Sequence, residues 1–92
     1  MSALSIVDVQ TAEPAPMSSE DMFRLGLAAS TGVEGHMDLV TAHKWFNLAA
    51  LNGSEAAKAY RRELAAEMSP AEVAEAQRQA REWLAMNRPA FA

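Results

Sequence analysis

The sequence predicts an all-α protein of about four antiparallel helices, and three observations carry that prediction. From Ser18 onward, apolar residues recur three and four positions apart, the spacing of one helix face. Four segments open on residues that cap helix N-termini well: Ser18 or Ser19, Asp38, Ser54 and Ser69. The connections between these segments are short, which makes successive helices antiparallel neighbours, and nothing in this body reads as a strand.

Residues 1–17 differ from the rest and are expected to form an N-terminal tail ahead of a helical domain at 18–87. Leu4, Ile6, Val7 and Val9 make a brief β-favouring run, and Pro14 and Pro16 then prevent a helix. Two readings of this stretch stay open: a flexible tail, or a short motif, LSIVDV, that adds an edge strand to a partner's sheet.

The first helix opens with Ser18 and Asp21 in a capping arrangement, and Glu20 and Asp21 suit the positive end of its dipole. Met22, Leu25, Gly26 and Ala29 fall on one face. A glycine there costs about 1 kcal/mol of helix stability against alanine, so Gly26 is read as a point of close backbone approach. Residues 30–37 form a loop punctuated by Gly32 and Gly35.

The stretch 38–53 is the centre of the chain. Asp38 caps it, Leu39, Ala42, Trp45, Phe46, Ala49 and Ala50 make its inner stripe, Lys44 and Asn47 lie outside, and Gly53 ends it with a left-handed cap. Ser54 starts a third helix, with Ala57, Tyr60 and Leu64 inside and Lys58, Arg61, Arg62 and Glu63 on its wet side, ending near Met68. Ser69, Pro70 and Glu72 are the clearest local signal: a serine cap, proline at the first helical position, and the glutamate of a capping box. This last helix runs to about Asn87 and is stopped by Pro89. Val73, Ala76, Gln77, Ala80, Trp83 and Leu84 share one face, opposite Glu75, Arg78, Gln79 and Glu82. Residues 88–92 are an apolar C-terminal tail.

These residues resemble one Sel-one-like repeat, a family related to the tetratricopeptide repeats that builds α/α solenoids. The resemblance spans about residues 22–57 and rests on Leu25, Gly26, the loop glycines, Asp38, Ala42, Trp45, Ala49, Ala50, Gly53 and Ala57. It implies a helical hairpin whose small residues Gly26, Ala42 and Ala49 mark a close crossing with Trp45 filling the wedge beside them. It also implies a protein-binding scaffold with no catalytic residues. Two departures stand out. The family's inward glycine–valine pair before the aspartate is replaced by Glu34 and Gly35, with Val33 earlier. Where a second repeat would carry leucine–glycine, this chain has Arg61 and Arg62, a bulky charged pair that forbids a close crossing. The pattern therefore breaks, and the last two helices are expected to cap the hairpin. A single repeat cannot bury its own apolar face, so either the last helix folds back over the core or two chains share it; monomer and homodimer both stand open.

Composition narrows the function classes. With 92 residues the chain is one domain, and half of it is apolar, much of that alanine. A net charge of −4 without a basic patch argues against nucleic-acid binding, which depends on neutralising phosphates. The chain has no cysteine, which excludes disulfides, zinc–thiolate sites and thiol nucleophiles. No apolar run reaches the ~20 residues of a membrane span, and no basic residue precedes the weak N-terminal apolar run as a secretory signal would require; the expected address is the cytoplasm. His36, Asp38 and His43 do not make a metal site: one is in a loop, one is a cap, no further ligand is near, and a stable site needs three or four. His43 is read as a surface or rim residue. There is no phosphate loop or nucleophile elbow, and the serines are explained as caps. Neither an enzyme nor a cofactor is expected.

The expected function is a small adaptor that binds another protein, with Lys44, Trp83, Met86, Phe91 and Ala92 as candidate contacts. Tryptophan is enriched at interface hot spots; Trp45 is read as core, and Trp83 is open between core and anchor. A second function class comes from the terminal MNRPAFA. Its apolar end is of the kind that AAA+ proteases of the Lon and Clp type engage, which suggests a regulatory partner or substrate docking through Phe91 and Ala92. The alternative is that Phe91 folds onto the last helix.

Overall fold

A computed structural model describes residues 17–33 and 35–87. Four helices follow in order: α1 (Ser19–Thr31), α2 (Leu39–Leu51), α3 (Glu55–Ala65) and α4 (Pro70–Asn87). No strand occurs among the described residues, and the fold is all-α. The N-terminal LSIVDV run and the terminal Phe91 and Ala92 lie outside the described residues. Met17, assigned above to the tail, instead packs against the core cluster.

Each helix begins where its cap dictates. Ser18 Oγ accepts the Asp21 N–H at 3.0 Å while Asp21 Oδ2 accepts the Ser18 N–H at 3.2 Å, a reciprocal capping box. The Asp38 carboxylate accepts both the Thr41 backbone N–H, at 3.1 Å, and its hydroxyl, at 2.8 Å. These two bonds, backbone first, hold the Asp38 carboxyl below its ordinary value of 3.8. Ser54 Oγ accepts from the Ala57 N–H at 3.1 Å, and Ser69 and Glu72 form a second capping box at 3.1 and 2.8 Å. At the end of α2, Gly53 adopts φ 102°. Its N–H donates to Ala50 O and that of Ser54 to Ala49 O, at 3.1 and 3.0 Å, a pairing that needs a left-handed residue.

α2 is the hub. It packs on α1, α3 and α4, whereas α3 and α4 make little contact with each other despite their short connection. Burial on several sides follows from that position. Ala42, Phe46, Leu48 and Ala49 are fully enclosed, Leu48 among them although it is off the predicted stripe. The α1–α2 hairpin is held at its loop end by the Asp38 N–H donating to Ala29 O at 3.0 Å, and at its open end by Asn52 Nδ2 reaching Met22 Sδ at 3.4 Å.

The close crossing is at Gly26, and the residue seated on it is Phe46. A Cβ at Gly26 would stand 2.5 Å from both Cδ1 and Cε1 of the Phe46 ring, well inside van der Waals contact. The expectation that Trp45 fills this wedge is thus corrected. Trp45 is one residue further round α2 and only half-buried, while Phe46 points straight at α1. Phe46 also meets Phe23 of α1 and Tyr60 of α3, with ring centroids 5.7 and 5.3 Å apart, and Phe23 meets Tyr60 edge-on at 5.3 Å. This aromatic trio joins three helices, and it keeps Tyr60 in contact with the core although that residue is 44% exposed.

Ion pairs add little to the tertiary structure. Among the described residues every one is local to a single helix and solvent-exposed: Arg24 with Glu20 and Asp21, Lys58 with Glu55, and Arg78 with Glu75 and Glu82. The hydrogen bonds from Arg78 and then Gln79 hold Glu75 down to about 2.

Candidate functional site

Two surface features gather the side chains that carry chemistry, one on each side of α2. The first is a groove of about 310 Å³ between α1 and α2, with Leu25, Ala28, Ala29 and Trp45 as its apolar lining and His36, Asp38 and Thr41 as its polar lining. Leu25 is 40% exposed there, which corrects its placement on the buried face of α1. The rotation that points Gly26 at Phe46 carries its neighbour Leu25 outward, into the groove.

Trp45 extends this groove toward α4. Its ring meets Trp83 edge-to-face, with centroids 5.8 Å apart and planes at 73°. Trp83 is therefore half-buried against Trp45, neither enclosed in the core nor standing free. Lys44 Nζ lies 4.7 Å from the Trp45 ring centroid, a cation–π contact at the same place. Beyond Trp83, Leu84 is 40% and Met86 77% exposed. The structure thus brings Lys44, Trp45 and Trp83 together; Met86 stands exposed about one turn beyond Trp83 on α4, and Leu84 is turned to another side of that helix. Val33, in the loop between α1 and α2, points to solvent.

The second feature is a cleft of about 480 Å³ lined by residues of α2, α3 and α4. His43 and Asn47 of α2, Arg61 and Arg62 of α3, and Gln77 of α4 line it. Ala65 and Val73 supply its apolar wall. Arg61 Nη1 donates to Asn47 Oδ1 at 2.6 Å, tying α3 to α2.

His43 and Arg61 were both assigned to the wet surface, and both assignments are corrected here. His43 is 3% exposed, and its Nδ1 is buried with no hydrogen-bond partner among the described residues. Burial, followed by the nearby Arg61 charge, pushes its pKa below the ordinary 6.5, so the imidazole is neutral at pH 7. Arg61 is half-buried. The signal for each was present in the spacing. His43 lies four residues after Leu39 and three before Phe46, and Arg61 lies between Ala57 and Leu64 at four and three residues. The residue types, charged or titratable, argued for solvent and outweighed the period. Gln77, read as inward-facing, is exposed at the rim of this cleft.

No three His, Asp or Glu side chains converge as metal ligands among the described residues. No helix among them is long and apolar enough to cross a membrane. Fold and surface together define, among the described residues, an all-α arrangement of three helices packed on a central α2, with a largely apolar groove on one flank and a cationic cleft on the other. Comparisons with protein-family models, with curated proteins and with solved structures find no match to this chain.

Proposed function

We propose that this chain is a non-enzymatic protein-interaction module, built as a single Sel-one-like hairpin (α1 and α2) closed by α3 and α4, and that it binds another protein through the Leu25–Trp45–Trp83 band. The observation that carries this reading is the continuity of that band. A groove walled in part by Leu25, Ala28 and Ala29 leads to two tryptophans in edge-to-face contact, and Met86 stands exposed about one turn further along α4. Large apolar and aromatic side chains that meet at a surface groove are what interface anchors are made of. The small-residue crossing at Gly26 supports the hairpin half of the reading, since it is the feature the repeat spacing calls for.

Affinity capture from the source cells tests it with three baits: the native chain, Met86→Asp and Trp83→Ala. Met86 is exposed enough that its replacement leaves the fold intact, so it guards against a Trp83→Ala variant that is merely unstable. Loss of the captured protein with both variants is the expected result. A capture unchanged by either variant places the binding surface elsewhere and defeats the proposal.

A further inference from the structure

The cleft between α2, α3 and α4 lies on a different flank from the apolar band, and its chemistry stands independently of that reading. The chain carries an excess of acid, −4 overall, and Arg24, Lys58 and Arg78 each lie within reach of a carboxylate on their own helix. Arg61 and Arg62, like Lys44 and Arg81, do not, and of these only Arg61 and Arg62 line the cleft. Neither has a carboxylate within 4 Å among the described residues, and Arg61 is instead held by the neutral carbonyl of Asn47. That bond orients the guanidinium without neutralising it.

The rest of the lining adds no negative charge. Asn47 and Gln77 are neutral amides, and His43 is neutral, buried to 3% exposure and left without a partner for Nδ1. An unpartnered polar atom at that depth is uncommon, because buried polar groups in folded proteins are nearly always hydrogen-bonded. Two guanidiniums, amide donors and an imidazole short of one hydrogen bond form a receptor for an oxyanion.

We propose that this cleft is a carboxylate-binding site that takes a glutamate side chain of a peptide partner, with Arg61 and Arg62 as its cationic clamp. The choice of a glutamate follows from the walls. Ala65 and Val73 offer apolar surface to the methylenes of the side chain, while the arginines meet its carboxylate. A polyanion such as nucleic acid suits the site poorly, since only two cations face the cleft and the surrounding chain is acidic.

Titration of the full-length protein with N-acetyl-triglutamate amide, followed by ¹H–¹⁵N spectra that include arginine Nε and glutamine side-chain resonances, tests the proposal. The expected result is saturable shifts at Arg61, Arg62 and Gln77 that the matching triglutamine peptide does not produce. Arg62→Gln, at an exposed position outside the Asn47 bond, should weaken binding roughly ten-fold, and Arg61→Gln at least as much. Arg24→Gln, an exposed charge on α1, which does not line the cleft, should leave it unchanged. Shifts that stay linear to the highest concentration, or an affinity indifferent to Arg62→Gln, overturn the proposal. So does inorganic phosphate that saturates the same resonances more tightly than the peptide, since it would make the cleft a phosphate site.

Discussion

The two flanks of α2 are assembled by opposite means. Toward α1 the contact is dry and close: a glycine with no side chain receives the face of Phe46, and Ala42 and Ala49 keep the backbones near. Toward α3 and α4 the contact is closed where Ala57, Ala80 and Tyr60 meet the core, but it opens into a cleft at the arginines. Arg61 crosses to Asn47 by one charged hydrogen bond, Arg62 flanks it, and the two later helices diverge around a cleft rather than packing on each other. The difference shows that side-chain volume at the crossing point decides how near two helices come. Glycine and alanine allow ridges to interlock closely, whereas long charged side chains at a crossing keep helices further apart.

That contrast can be broken most sharply on the dry flank. Phe46→Ala removes the largest fully buried side chain, one shared by three helices, and should cost about 3–5 kcal/mol, read as a large drop in the urea midpoint. Gly26→Ala comes next. Its Cβ overlaps the Phe46 ring, at an overpacking cost of about 1–3 kcal/mol, which the gain of about 1 kcal/mol in helix propensity only partly offsets. The same substitution in a Phe46→Leu background should lose its penalty, and a double-mutant cycle with no coupling would falsify the direct contact.

Smaller effects probe the cap and the open flank. Asp38→Ala should cost about 1 kcal/mol through loss of the α2 cap. Because the folded carboxyl titrates below 3.8, the Asp38 contribution is complete above that pH. It should be lost as pH falls through the folded pKa, and a pH series of melts on both proteins would reveal the difference. His43→Leu should be neutral or stabilising by up to about 1 kcal/mol, since it removes a buried group without a partner. In the native chain the unfolded state takes up a proton near pH 6.5 before the folded one does. Stability should therefore decline as pH drops below 6.5, and His43→Leu should flatten that slope. Least of all, Glu75→Gln on the exposed face of α4 should leave the melting temperature at pH 7 unchanged within error, despite the short bond to Arg78.

What the amino-acid sequence determined by itself was local. The four helices, their starts at Ser18, Asp38, Ser54 and Ser69, and the stop at Gly53 all depend on hydrogen bonds that close within a few residues, so nearby residue types suffice to place them. Gly26 could be picked out as a crossing point because a glycine on a helix face has no local reason to be there. Tertiary packing decided the rest. Which aromatic sits on that glycine, Phe46 or Trp45, depends on a rotation of α2 by one residue that both stripes allow. The burial of His43 and the partial burial of Arg61 depend on α3 and α4 packing against α2, contacts between residues well separated in the chain. The pairing of Trp83 with Trp45 has the same origin. Helix period states which residues can share a face, but only the relative placement of the helices states which face meets another helix and which is left open for a ligand.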